Sequence, residues 1–158
     1  MIEVRECSKA FGSVKAVNKA TLDIGDREVF GLVGSNGAGK STLLRMMAGI
    51  IRPDAGEILI DTLPVYENED AKKLFFYISD DSYFPSNYTA TDMVRFYRNF
   101  YPEFRIKLFH ELMDQFHLEE RRKISTFSKG MKKQLLMIIG VCAATKYLFC
   151  DETFDGLD

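Results

Sequence analysis

The sequence predicts an α/β fold: a mixed sheet around one central helix, an antiparallel β part at the N-terminus and a helical insertion in the second half. Three observations predict it. Val29 to Val33 is an apolar run that reads as a buried strand, and it leads at once into a glycine-rich loop and the helical stretch Leu43 to Ala48. Two β-rich segments precede that run. From Thr89 to Leu118, by contrast, apolar residues recur at helical spacing.

Ile2 to Cys7 roughly alternates and reads as a strand, and Val14 to Ile24 is β-rich with Val17, Ala20, Leu22 and Ile24 in step. Gly25-Asp26 marks a turn into a strand over Glu28 to Val33. After the loop and its helix, Gly49 stands where a C-terminal cap glycine belongs. Arg52-Pro53-Asp54-Ala55-Gly56 is a turn cluster ahead of a short strand, Glu57 to Asp61. Asn68 to Leu74 reads as a polar helix leading into the aromatic strand Phe75 to Ile78. Thr89-Ala90-Thr91-Asp92 is a capping-box pattern, followed by Met93, Val94, Phe96, Tyr97, Phe100 and Tyr101 on a helix that Pro102 ends. Leu108, Phe109, Leu112, Met113 and Phe116 mark the apolar face of a second helix. Ser128 caps a third that runs to Ala144, and Tyr147 to Cys150 is a short buried strand. The basic groups Arg121-Arg122-Lys123 and Lys132-Lys133 read as solvated helix faces.

The bulk composition excludes several function classes. With 158 residues, 46% hydrophobic and 28% charged, the chain reads as one ordinary globular domain with a real core. A net charge of −2 gives no electrostatic case for nucleic-acid binding. Cys7, Cys142 and Cys150 show no paired spacing, which predicts buried thiols in a reducing compartment. His110 and His117 have no partner at metal-ligand spacing. The start shows no basic region followed by an apolar stretch, and the longest apolar run, Leu135 to Ala144, is about half of the ~20 residues that span a bilayer. The expected place is the cytosol, or the cytosolic face of a membrane.

Gly34-Ser35-Asn36-Gly37-Ala38-Gly39-Lys40-Ser41-Thr42 is a complete phosphate-binding loop between a strand pattern and a helix pattern. Its glycines let successive N–H groups turn inward toward a phosphate, and the helix N-terminus behind them adds partial positive charge. Lys40 can reach the β- and γ-phosphates of a nucleoside triphosphate, and Ser41 can offer its hydroxyl to Mg²⁺. The second element is Tyr147-Leu148-Phe149-Cys150-Asp151-Glu152, an apolar strand that ends in two carboxylates. Uncompensated carboxylates at a core edge are costly, and a Mg²⁺–nucleotide complex supplies the compensation. Asp151 then serves the metal and Glu152 the attacking water, as general base.

Phe127-Ser128-Lys129-Gly130-Met131, at a helix start before that strand, resembles the Leu-Ser-Gly-Gly-Gln signature of ATP-binding cassette (ABC) ATPases. The order of phosphate loop, helical insertion, signature-like motif and carboxylate strand fits that family, and Thr153-Phe154-Asp155-Gly156-Leu157-Asp158 resembles its D-loop. The resemblance spans the whole chain. It implies a P-loop NTPase of the ABC type, with residues 1–80 and 145–158 as ATP-binding core and residues 81–144 as helical subdomain. Ser128 and Gly130 would contact ATP held by a second protomer, and Asp158 would belong to the D-loop. Phe11 stands where the family stacks an aromatic on adenine, an aromatic at a strand end being otherwise core; Val17 would line the same pocket, and Thr42 would meet the α-phosphate. Asp80 stands where most members carry a glutamine near Mg²⁺; its carboxylate would still approach the metal, but the usual amide contacts are not carried over. Lys129 and Met131 also depart from the signature. The loop aromatics Tyr83, Phe84 and Tyr88 either pack under the insertion or border the groove that receives a helix of a membrane partner.

The resemblance implies an ATP-hydrolysing subunit of an ABC transporter, working with ATP and Mg²⁺ as a homodimer or heterodimer. It would sit at the inner face of the membrane through a membrane-spanning permease subunit, with no nucleic acid as partner. The acidic residues in place of glutamine and the Ser-Lys-Gly-Met signature resemble bacterial export systems. A soluble ABC ATPase acting on ribosomes or DNA, or a non-hydrolysing assembly module, are the alternatives. The family continues beyond the D-loop to a further strand and a histidine at the γ-phosphate, so the chain reads as a fragment.

Overall fold

Ile2 and Val4 point into the core at a two-residue period, but Cys7 rather than Glu6 is the next buried position. The period slips because Glu6 takes a left-handed backbone (φ +44°) and the pairing register shifts between Val4 and Cys7, which is a bulge. These residues belong to β1 (Ile2–Phe11), which a two-residue turn joins to antiparallel β2 (Val14–Ile24). This is a computed structural model in which residues 1–81 and 83–152 are described. The chain divides into two units, Met1–Leu74 and Phe75–Asp158.

In the first unit, helix α1 (Lys40–Met47) follows the glycine-rich loop and buries Leu43, Met46 and Met47. The strand β3 (Ala55–Ile60) pairs with the other edge of β1, and β4 (Leu63–Pro64) closes a four-stranded antiparallel sheet of order β2-β1-β3-β4. Ile2 opposite Ile60 and Val4 opposite Ile58 form its buried cross-strand pairs. The short helix α2 (Glu69–Lys72) is capped by Asn68, whose side-chain oxygen accepts from the amides of Asp70 and Ala71.

In the second unit, β5 (Phe75–Ile78) runs parallel to a strand near the end of the chain, with helices between. Helix α3 (Ala90–Tyr97) starts on the capping box foreseen at Thr89: Asp92 N donates to the Thr89 hydroxyl, and the Asp92 carboxylate accepts from Thr89 N at 3.0 Å. After it come α4 (Ile106–Gln115), the helical turn Ile124–Thr126, α5 (Lys129–Cys142) and β6 (Tyr147–Cys150). Phe76, Ile78, Phe109, Met113, Leu135 and Ile139 lie in one buried cluster. Helix α5 lies so close to the β5–β6 pair that a Cβ on Gly140 would fall 2.9 Å from Leu148 Cδ1. Phe76 stacks near Tyr97 and Tyr101 at ring distances of 5.1 and 5.4 Å, and burial pushes both phenols above their usual pKa. Burial likewise raises the Cys7 thiol and lifts Cys142 to about 11; Cys150 is only partly buried.

Three expectations need correction. Residues 28–33 form no strand, and Val29 and Val33 are fully exposed at 104% and 98%. A strand requires ladder partners. Both edges of β1 are already taken, and among the described residues no strand pairs with this run. The first helix of the insertion stops at Tyr97 rather than at Pro102, because the following amides of Asn99 and Phe100 tighten to i−3 bonds on Phe96 and Tyr97. Lys133 is not on a solvated face; it is 4% exposed.

Candidate functional site

The first unit carries the phosphate loop. Gly34 to Ala38 is exposed, and the chain turns into α1 through Gly37 (φ +82°) and Gly39 (φ +91°), both left-handed. A Cβ on Gly39 would fall 2.0 Å from the carbonyl oxygen of Ala16, so only glycine lets the loop lie against β2. The turn is closed by Ala38 N on Ser35 O at 3.1 Å, and the helix begins with Leu43 N on Gly39 O at 2.9 Å. No side chain caps α1, whose N-cap is Gly39, so its positive end suits an anion. Lys40 Nζ donates to the carbonyls of Gly34 (2.8 Å) and Ser35 (3.0 Å), which lays its charge across the loop. Ser41 and Thr42 follow, half-buried, in the first turn of α1.

Replacing Gly39 by alanine is expected to cost about 1–2 kcal/mol for the left-handed backbone alone, before the clash with Ala16 is counted. A lower melting temperature together with weaker nucleotide binding by the full-length protein would show it. Unchanged values in both would mean that the loop does not depend on this approach.

Phe11 ends β1 with half of its surface exposed (50%), and Lys9 Nζ lies 5.8 Å from its ring centroid. It is therefore not a core residue, and the ring keeps an open face. Val17 sits opposite Lys9 in the β1–β2 ladder, and its Cγ2 is 3.5 Å from the Cβ position of Gly39. Val17 thus borders the end of the phosphate loop.

The second unit carries the carboxylates. Strands β5 and β6 pair in parallel register from Phe75–Tyr147 to Ile78–Cys150, so the segments holding Asp80 and Asp151-Glu152 leave from the same, C-terminal edge. Asp151 is 1% exposed; its amide donates to Ile78 O at 2.9 Å, and its Oδ2 accepts from the Tyr77 hydroxyl at 3.1 Å. Glu152 is exposed and takes a left-handed backbone, φ +48°, uncommon for a non-glycine residue. Lys133 Nζ donates to Glu152 O at 2.9 Å and lies 3.9 Å from Asp80 Oδ1. The Asp80 side chain is about half exposed. Tyr77 and Lys133 were missed from sequence. Lys133 had a signal: it precedes Leu136 and Gly140 by three and seven residues, the spacing of the face that α5 buries.

The donor set suits Mg²⁺ more than a metal in an all-protein cage. Among the described residues no group of three His, Cys, Asp or Glu side chains could hold an ion. Mg²⁺ asks for one or two carboxylates and takes the rest of its shell from phosphate and water, which fits a single buried Asp151. His110 is occupied by Glu120 at 2.6 Å.

Ser128 caps α5, its Oγ accepting from Met131 N at 3.1 Å, and Gly130 lies in the first turn. Asp158 and the rest of the D-loop resemblance lie outside the described residues. Phe84 and Tyr88 pack against the buried cluster, while Tyr83 is exposed. Tyr83 and Phe84, with the 85–87 segment, Ser125 and Lys132, line a surface recess of about 390 Å³. No helix among the described residues is long and apolar enough to cross a membrane.

The family described as ABC transporter matches residues 17–155. The ABC transporter ATP-binding protein YtrB of Bacillus subtilis is 35% identical over all of this chain and 54% of its own length. The SkfA peptide export ATP-binding protein SkfE of the same organism is 29% identical over all of this chain and 68% of its own. A ribose import ATP-binding protein, RbsA 1 of Streptomyces coelicolor, is 48% identical, but over only 41% of this chain and 13% of its own. A solved ATP-binding subunit of an ABC transporter superposes with a TM-score of 0.90 at 26% identity, covering 99% of this chain and 68% of that one. The chain thus spans about half the length of YtrB. By the family match over most of its residues, this chain belongs to the ABC transporter family, on its ATP-binding side.

Proposed function

We propose that this chain is the ATP-binding and hydrolysing part of an ABC transporter subunit that couples MgATP hydrolysis at a dimer interface to substrate movement across a membrane. The observation that carries the reading is the uncapped positive end of α1 behind a left-handed glycine loop, with Lys40 laid across it. In this reading the loop amides and Lys40 bind the β- and γ-phosphates, Thr42 the α-phosphate, and Phe11 and Val17 the base. Ser41 and Asp151, with Asp80 as a further candidate, hold Mg²⁺, which when bound neutralises charge on the phosphate oxygens. Tyr77 fixes the Asp151 carboxylate by its hydrogen bond. Glu152 orients the attacking water and accepts its proton. Ser128 and Gly130 serve ATP bound by a second copy or a related subunit, as Asp158 serves that interface.

A membrane-spanning permease is the second proposed partner, and the recess lined by Tyr83 and Phe84 is where it would dock. Whole-chain similarity to a protein named for peptide export favours outward movement. Residues 1–80 with 145–158 form the ATP-binding core and 81–144 the helical subdomain in this proposal. The direct test is MgATP turnover by the full-length protein together with co-purification of a membrane protein. An ATPase that turns over only with such a partner supports the transporter reading, whereas turnover stimulated by ribosomes or DNA overturns it.

Phe11→Ala in the full-length protein is expected to weaken ATP binding by about 1–3 kcal/mol if the ring stacks on a base, with Phe11→Tyr tolerated. Isothermal titration with ATP and with inorganic triphosphate separates the cases: only ATP should lose affinity.

A further inference from the structure

A lysine ammonium buried inside a helical unit is costly unless charged and polar partners surround it. Lys133 is 4% exposed, and two of its partners belong to the segments that leave the C-terminal edge of the β5–β6 pair. It donates to the backbone carbonyl of Glu152 at 2.9 Å and stands 3.9 Å from the Asp80 carboxylate. Glu152 itself is held at φ +48°, a conformation that persists in a non-glycine residue only when its surroundings impose it. Lys133 also lies on α5, five residues after the N-cap Ser128, so the tether is about one and a half helical turns from the signature-like motif.

We infer that Lys133 is a positioning residue: it ties the segment carrying Asp80 to the one carrying Glu152 and so sets where the Glu152 carboxylate stands during hydrolysis. The inference rests on the reading of Glu152 as general base. Two physical consequences follow. The buried Lys133 ammonium is compensated in part by the half-exposed Asp80 carboxylate 3.9 Å away, so Asp80 and Lys133 work as a pair. The hold on Glu152 is through its backbone, so losing it turns the side chain without removing any group that touches nucleotide. A misplacement of about 1 Å at a reacting group can cost on the order of 10²-fold in rate. The effect therefore belongs in kcat and not in ATP affinity.

The test uses the full-length protein with Lys133→Met, which keeps the apolar stem, and Lys133→Gln, whose amide keeps a donor one bond shorter and reaches the Glu152 carbonyl directly after a small shift or through a water. Lys133→Met is expected to lower kcat at least tenfold while the dissociation constant for ATP stays within threefold, and Lys133→Gln to recover part of the loss. Amide hydrogen exchange without nucleotide should show residues 79–81 and 151–152 losing protection while residues 135–142 of α5 keep theirs. Should Lys133→Met fail to fold, Lys133→Gln carries both measurements and is expected to fall between wild type and a tenfold loss. Wild-type turnover by Lys133→Met, or unchanged exchange at both segments, overturns the inference and leaves the ATPase reading intact. A wild-type protein that hydrolyses no ATP overturns the reading of Glu152, and exchange then decides alone whether Lys133 ties the two segments.

Discussion

Lys40→Ala in the full-length protein is expected to weaken ATP binding by roughly 30-fold or more. The Nζ group lies across the loop on the carbonyls of Gly34 and Ser35, at 2.8 and 3.0 Å, so its charge is already held where a triphosphate would be cradled. Charge-assisted bonds of this kind contribute about 1.5–3 kcal/mol each. Truncating one member of a desolvated charge pair costs about 2–5 kcal/mol, a loss of roughly 30-fold to several thousand-fold in affinity. Alanine also removes the two bonds by which Nζ fastens the loop, and it removes the aliphatic stem. Lys40→Met keeps the stem and loses the ammonium with both bonds, so the melting temperature of each variant separates lost charge from lost loop order. If both variants bind ATP poorly while their melting temperatures match wild type, the charge is responsible. Near-normal affinity in either would remove the loop from the nucleotide site.

The parts legible from sequence are those whose chemistry is local. The Thr89 capping box, the Ser128 cap and the turn through Gly37 and Gly39 are each decided by residues a few positions apart, and each forms as the sequence implies. Strand pairing is not local. Val29 to Val33 has the composition of a buried strand, yet composition cannot supply a neighbour, and the run stays exposed without one among the described residues. The slip at Glu6 has the same origin, because a bulge depends on the partner strand as much as on its own residues. Lys133 escaped for a different reason. Residue type argues for a solvated face, and only its helical spacing to Leu136 and Gly140 argues for burial. Tyr77 was read as strand material, and its hydroxyl acquires a role only once parallel pairing brings Asp151 beside it. The strand-end position of Phe11 is compatible with core or with ligand contact, and its half-exposed ring argues against core.

Glu152→Gln in the full-length protein is expected to retain MgATP binding and to lose a catalytic contribution of roughly 10²–10⁴-fold. The amide has nearly the size of the carboxylate and can still hold a water, but it cannot accept a proton at neutral pH. Nothing in the fold should suffer, because Glu152 is exposed and the bond that secures it, from Lys133 Nζ, goes to its backbone carbonyl and not to the carboxylate. The loss therefore separates chemistry from structure, which Asp151 cannot do, being buried and bonded to Tyr77. With hydrolysis slowed, ATP should remain bound between two protomers, so the variant should elute as a dimer with MgATP where wild type does so only transiently. Size-exclusion chromatography with and without MgATP reads this directly, and phosphate release reads the rate. A variant that turns over at the wild-type rate removes Glu152 from the proton transfer. A variant that stays monomeric at saturating MgATP overturns the shared-site reading of Ser128 and Gly130. Wild-type protein that binds MgATP, releases no phosphate and dimerises as stably as the variant would instead be a module that uses ATP only to hold two copies together.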